Sequence, residues 1–156
     1  MRRLMLAAVI AAISASESPA DIIGRASVID GDTIEIAGER IRFNGIDAPE
    51  ASQLCEDMAG AKYRCGQRAA LDLADWLDGA QPIRCAKDGR DRYGRTIATC
   101  FRAGSDVAAW LVRSGLALDW PRYSKGKYAA AQAEAEAARR GLWAGSFEPP
   151  WEWRRR

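Results

Sequence analysis

Two short stretches, Ile22 to Ile29 and Thr33 to Ala37, alternate apolar and polar side chains and are rich in β-branched residues. A period of two sends successive side chains to opposite faces, so both read as half-buried β-strands. Gly38-Glu39 punctuates the chain, and a third strand is predicted from Arg40 to Ile46, completing an antiparallel meander. In that strand Ile41 and Phe43 share one face while Arg40, Arg42 and Asn44 share the other. Arg42 is therefore expected to leave the core and be free for other work. Gln81 to Ala86 and Thr96 to Arg102 supply two further strands, separated by the turn-rich Lys87 to Gly94.

Elsewhere the period is helical. Cys65 to Leu77 carries Ala69, Leu73, Trp76 and Leu77 on one stripe and stops before Gly79, where a left-handed cap is expected. Ser105 is expected to cap a second helix through Arg113, with Val107, Trp110 and Leu111 inward and Gly115 beyond its end. Lys125 to Arg140 reads as a third, alanine-rich helix followed by Gly141. The remainder, Glu148 to Trp153, reads as a docked or loose extension. Five short strands with helices packed at one end predict an α+β fold, a five-stranded barrel of the OB type with about three α-helices.

The N-terminus changes the picture of the whole chain. Arg2-Arg3, the ten apolar residues Leu4 to Ile13 and the small residues through Ser18-Pro19-Ala20 have the layout of a secretory signal peptide. Cleavage is expected near Ala20, with Ala15 as the alternative. Ten apolar residues fall short of the ~20 that span a bilayer, so no membrane-spanning segment is expected after cleavage. The expected organisation is a leader at 1–20, one domain at 21–146 and a tail at 147–156, with the product exported to the periplasm or beyond.

Export gives meaning to the four cysteines, Cys55, Cys65, Cys85 and Cys100. An even count in an oxidising compartment favours two disulfides. Structural zinc takes ligands as close pairs, and these cysteines are spread along a chain that has no histidine. Of three possible pairings, Cys55 with Cys65 would close a local loop and Cys85 with Cys100 would join neighbouring strands; this pairing is expected.

Bulk charge adds little. Of 23 basic and 21 acidic side chains, Arg2, Arg3 and Glu17 fall in the leader, which leaves the rest at +1. A strongly basic domain would point to nucleic acid by itself; here only the placement of charge can do so. The terminal run Arg154-Arg155-Arg156 is locally basic, and such runs are usually solvated.

The absence of histidine excludes a Ser-His-Asp triad, a His-paired cysteine and an imidazole base. Any chemistry must run on carboxylates, guanidiniums and an oxygen-loving metal. Asp30, Asp32, Asp47 and Glu50 fall at strand ends or in the turns after them, where a rigid scaffold exposes side chains. Singly they are weak signals: Asp30-Gly-Asp32 also suits a hairpin turn, and Asp47-Ala-Pro-Glu50 a capped helix start. Together they fit metal-assisted cleavage of a phosphodiester. Asp32 and Asp47 suit a hard divalent cation, Glu50 a water-activating base, and Arg42 and Arg95 a bidentate grip on non-bridging oxygens. Tyr93-Gly94 forms a turn that would present Arg95 outward.

Val28-Ile-Asp-Gly-Asp-Thr33, Arg42, Ile46-Asp47-Ala-Pro-Glu50, Asp91-Arg-Tyr-Gly-Arg95 and Leu111-Val-Arg-Ser-Gly-Leu-Ala117, in this order, resemble the thermonucleases, or staphylococcal-nuclease-like domains. The likeness runs from about Ile22 to Trp143. It implies an OB barrel with three helices and a calcium-dependent nuclease that cleaves DNA and RNA to 3'-phosphorylated products. By matching positions, Asp32 and Asp47 would hold calcium with the Ala48 backbone carbonyl, Glu50 would be the general base, and Arg42 and Arg95 would stabilise the transition state. Arg92 and Tyr93 match a basic-aromatic pair on the substrate side, and Trp120 and Tyr123 approximate a pair of tyrosines there. Asp30 falls back to a turn or supporting residue. The chain departs from the family at Ala48, where threonine is common, and over Gln53 to Gly66. No protein partner is implied, and a monomer is expected.

Two other readings compete. A nucleic-acid-binding module of the same fold without catalysis would ordinarily have lost carboxylates or arginines, and all five are present here. A disulfide-stapled calcium-binding or structural envelope protein would explain Asp32 and Asp47 but gives Arg42 and Arg95 no role.

Overall fold

The computed structural model describes residues 20–156; the expected leader lies, apart from Ala20, outside the described residues. The described chain opens with β1 (Ile22–Gly24) and β2 (Ala26–Asp30), turns through Gly31-Asp32 into β3 (Thr33–Ile36), and turns again into β4 (Glu39–Phe43). A short β5 (Ile46–Asp47) and the hairpin of β6 (Leu54–Glu56) and β7 (Lys62–Arg64) lead into α1 (Cys65–Asp78). The long hairpin of β8 (Ile83–Arg90) and β9 (Thr96–Arg102) follows, then β10 (Ser105–Asp106), α2 (Val107–Arg113) and β11 (Leu118–Asp119). The C-terminal part holds α3 (Pro121–Ser124), α4 (Ala129–Ala137), a 3-10 turn at Gly141–Ala144 and α5 (Pro150–Trp153).

The main sheet runs in the order β1-β8-β9-β4-β3-β2, with β10 paired to β9. Its two outermost members are successive pieces of one stretch: β1 pairs with β8, β2 pairs with β3, and only Arg25 lies between them. The sheet thus comes round on itself, which removes its free edges and makes the OB-type barrel of an α+β fold. Counting β1 and β2 as one strand and setting β10 aside leaves the five expected strands. The stretch Ile22 to Ile29 is accordingly two strands, not one, because a strand that closes a barrel must change partners along its length.

Alternation does what it predicted inside the meander. Ile34, Ile36, Ile41 and Phe43 are buried and meet Leu73 and Leu77 of α1 and Leu111 and Val112 of α2. Burying each such side chain stabilises the fold by about 1.5–3 kcal/mol. A smaller cluster gathers Cys55, Cys65, Leu118 and Leu142, with Trp143, Phe147 and Trp151 packed on it. The extension after residue 147 is therefore docked.

Both disulfides join as expected. Cys55–Cys65 links β6 to the first residue of α1, and Cys85–Cys100 joins directly opposed residues of β8 and β9.

Several local expectations are corrected. The third strand ends at Phe43, because the turn at Asn44-Gly45 hands Ile46 to β5, which pairs with β11. Lys87 to Arg90 are not a turn: they continue β8 past a register shift between Lys87 and Gly89, and pairing with β9 overrides their turn-forming composition. Gly79 closes α1 with a right-handed φ of −65°. Asp106, not Ser105, caps α2 by accepting from the Ala109 amide at 3.1 Å, since it directly precedes Val107, the first helical residue. The expected helix from Lys125 to Arg140 is interrupted: Lys125 adopts φ 55° at the end of α3, and α4 begins only at Ala129. Asp47 does not cap a helix; it belongs to β5, and the chain after it turns through a Gln53 amide to Glu50 carbonyl bond.

Candidate active site

The turn between β2 and β3 presents Asp32, which is 4% exposed. Its backbone amide donates to Asp30 Oδ1 at 3.0 Å, so Asp30 does hold the turn. Burial, and after it the neighbouring Asp32 charge, push the Asp30 carboxyl up to about 6. Asp47 on β5 is completely buried. Burial and the nearby Asp32 push its carboxyl upward, and Arg154 and Arg42 oppose that shift.

Two buried carboxylates on neighbouring segments repel each other and demand a cation. Arg42, reaching across from β4, supplies it: Nη1 donates to Asp32 Oδ1 at 2.6 Å and Nη2 to Asp47 Oδ1 at 2.8 Å. Burial works against the Arg42 charge, but Asp32 and Asp47 outweigh it and hold the guanidinium protonated. Arg42 does leave the core face, yet it is not free, because leaving the face brought it to two unscreened anions. The remaining Asp32 oxygen accepts from the Ala48 amide at 3.1 Å, and Thr33 Oγ1 donates to Oδ1 at 3.0 Å.

Glu50 sits on the loop after β5. That loop is held from below by Gly66 in the first turn of α1: a Cβ added there would lie 2.0 Å from the Glu50 carbonyl oxygen. Gln53, fully buried, accepts from the Glu50 amide at 3.3 Å and donates to the Glu148 carbonyl at 2.7 Å. The Glu50 loop and the C-terminal tail are thus tied through one side chain.

Across the cleft, the tip of the β8–β9 hairpin carries Arg92, Tyr93 and Arg95. The turn depends on Gly94, whose φ of 82° is open to glycine but costly for other residues. Asp91 organises it, accepting from the Arg95 amide at 3.0 Å and from Arg95 Nε at 2.7 Å. Burial raises the Asp91 carboxyl, but the bonds from Arg95 and Tyr93 outweigh it, and the group titrates below its ordinary value. Tyr93 is 69% exposed, with the Arg92 guanidinium 4.9 Å from its ring. Trp120 and Tyr123 meet edge to face at 4.6 Å, and Trp151 of α5 stacks on Trp120 at 5.8 Å.

One cleft of about 810 Å³ is lined by Asp32, Arg42, Ala48, Glu50, Arg92, Tyr93, Arg95, Trp120 and Tyr123. Only Asp47 among the expected residues is missing from its wall, being covered by Arg42 and Arg154. Arg90 and Arg122 also line it and were not singled out from the sequence; both are arginines in a chain full of them, and only the fold shows which face they join. A second cleft, about 960 Å³ around Trp76 and Trp110, contains none of these groups.

A further residue is present that the sequence did not reveal. Arg154, just past α5, donates to both Asp47 oxygens at 3.1 and 2.7 Å and to Glu50 Oε1 at 2.8 Å. Asp47 and Glu50 raise its pKa despite burial. The only signal was a run of three terminal arginines, a pattern that is ordinarily solvated.

The donor set suits a hard cation. Asp32, Asp47 and the Ala48 carbonyl offer oxygen ligands, and two guanidiniums already stand against those carboxylates as positive charges. Among the described residues no three metal-ligating side chains converge, so a cation here would rest on two carboxylates and a backbone carbonyl and complete its shell with water. No helix among the described residues is long and apolar enough to cross a membrane.

The barrel thus gathers carboxylates and arginines in one cleft, a charge pattern that can meet both a cation and phosphate oxygens. Comparison with known proteins agrees: the family model described as staphylococcal nuclease homologue matches residues 40–145, and the chain belongs to that family. It is 55% identical over 123 residues to the succinoglycan biosynthesis protein ExoI of Rhizobium meliloti, covering 78% of this chain and 64% of that one. It is 31% identical over 160 residues to an uncharacterized endonuclease of Haemophilus influenzae, covering 97% and 82%. It is 32% identical over 118 residues to the probable staphylococcal-like nuclease CAN1 of Oryza sativa subsp. japonica, covering 74% and 32%.

Proposed function

We propose that this chain is an exported, calcium-dependent nuclease that hydrolyses phosphodiester bonds of DNA and RNA. The reading is supported most by one observation: Asp32, Arg42, Glu50 and Arg95 line one cleft, with buried Asp47 bonded to Arg42 behind it. Family membership, relatives described as nucleases, and two disulfides of the kind that persist in oxidising compartments add to it.

Asp32 and Asp47, with the Ala48 carbonyl, would hold calcium, which when bound supplies charge neutralisation and polarises a phosphoryl oxygen. Glu50 is the residue to take a proton from the attacking water, since no histidine is available and its carboxylate lines the cleft. Arg42 and Arg95 donate to the non-bridging oxygens, where negative charge grows as the new bond forms. Arg92, Tyr93, Trp120 and Tyr123 provide cationic and aromatic contacts for the flanking nucleotides. A mechanism that uses water needs no 2'-hydroxyl, so both nucleic acids are substrates.

Purified protein with single- and double-stranded DNA and RNA tests this. Cleavage is expected with calcium, none with excess chelator, and recovery on adding calcium back. Binding without cleavage under all conditions would point instead to an inactive nucleic-acid-binding module.

A further inference from the structure

Every carboxylate oxygen of Asp32 and Asp47 already accepts a hydrogen bond. Asp47 Oδ1 accepts from Arg42 and Arg154, and Oδ2 accepts from Arg154; Asp32 Oδ1 accepts from Arg42 and Thr33, and Oδ2 from the Ala48 amide. Glu50 Oε1 is taken as well, by the same Arg154 nitrogen that reaches Asp47 Oδ1. The two arginines differ in where they come from. Arg42 belongs to a central strand of the barrel, whereas Arg154 arrives on the last turn of the chain.

The segment that delivers Arg154 is fastened at several points. Glu148 accepts from buried Gln53 and pairs with Arg156, Pro150 is buried, and Trp151 stacks on Trp120. Arg154 itself lies 5.7 Å from the Trp120 ring, so its guanidinium is steered by an aromatic face as well as by the carboxylates. A planar fork bonded to both oxygens of one carboxylate and one of the next is placed as a cation would be.

We propose that Arg154 is a built-in occupant of the cation position: it neutralises Asp47 and Glu50, must withdraw when a divalent cation binds, and so makes residues 147–156 a latch over the site. The inference rests on the assignment of Asp32 and Asp47 as cation ligands. Its logic is mass action between two cations for one set of anionic oxygens. Calcium and Arg154 draw on the same Asp47 oxygens as competing positive charges, so each weakens the other by the same factor. Withdrawal also releases Glu50 Oε1 from its guanidinium donor. The latch therefore couples metal binding to release of the base.

Calcium titration of the 156-residue chain by calorimetry, with no substrate present, tests this apart from activity. Arg154→Ala should tighten calcium binding by about tenfold or more, the scale of a lost charge-assisted bidentate contact. Arg155→Ala removes the same charge one residue away, where the side chain is exposed, and should change the affinity less than about twofold, as expected for a screened surface charge. In the unaltered protein, calcium should also shift tryptophan emission and speed amide exchange across residues 147–156. Equal calcium affinity in Arg154→Ala and Arg155→Ala, weaker affinity in Arg154→Ala, or a tail whose exchange ignores bound calcium would overturn the latch alone. Failure of every variant to bind calcium would overturn the cation assignment, and the latch with it.

Discussion

The two walls of the cleft are built on opposite plans. On the barrel wall, Arg42 is mostly buried and bonded to two carboxylates that are nearly inaccessible to water. On the hairpin wall, Arg95 is partly exposed, bonded to one carboxylate four residues away, and flanked by an exposed tyrosine. The first wall is held by the whole fold, the second by a five-residue turn. The difference separates two demands on such a site. Under the proposed function, ligands for a cation must be fixed before the cation arrives, while groups that grip a long, variable polymer gain from adjusting to it. Stability should therefore be concentrated on one side and adaptability on the other.

The sharpest way to break this contrast is to remove each arginine. Arg42→Ala leaves two buried carboxylates without their bridge and should cost about 3–5 kcal/mol of unfolding free energy, measured by urea denaturation. Arg95→Ala should leave the denaturation midpoint nearly unchanged and lower turnover by about 100-fold, the scale of one lost transition-state donor. Comparable stability losses in the two variants would erase the distinction between the walls. Glu50→Gln should also lower turnover by about 100-fold or more, since it removes the proposed general base from the barrel wall while preserving shape. Near-normal turnover would take that role from Glu50.

Smaller effects probe the hairpin wall itself. Tyr93→Ala should weaken single-stranded substrate binding by about 1–3 kcal/mol, read as a rise in KM at steady kcat. The weakest effect is with pH. Asp91 titrates below its ordinary value of 3.8 in the folded chain, so its contribution is fully present above that value and is lost as pH falls through the folded one. Amide exchange at Tyr93 and Arg95 should therefore accelerate relative to β4 in strong acid, with the turn loosening before the barrel.

Reading the chain from its sequence succeeded where local pattern and fold agree. Alternation found the meander, put Ile41 and Phe43 inside and Arg42 outside, and cysteine spacing led to both bridges. It failed where a distant partner decides. The break at Arg25 exists because the strand must leave β8 for β3, and nothing within Ile22 to Ile29 records either neighbour. Lys87 to Arg90 has the composition of a turn and is a strand because β9 lies beside it. Arg42 was placed on the correct face, but that it would bridge Asp32 and Asp47 depended on β5 folding back through Gly45. Arg154 was hidden most completely, because 107 residues separate it from Asp47 and its neighbours look like a solvated tail.

Gly66 has a consequence that reaches past its own helix. With room for no methyl group against the Glu50 carbonyl, the spacing between α1 and the Glu50 loop equals the thickness of bare backbone. Side chains elsewhere in the cleft can be exchanged to alter charge or grip, but the height at which Glu50 stands above the barrel is set by a contact that contains no side chain. Position 66 is therefore a point where variation is closed off for reasons of reach alone, and even Gly66→Ala would miscalibrate the site without touching any group that carries chemistry.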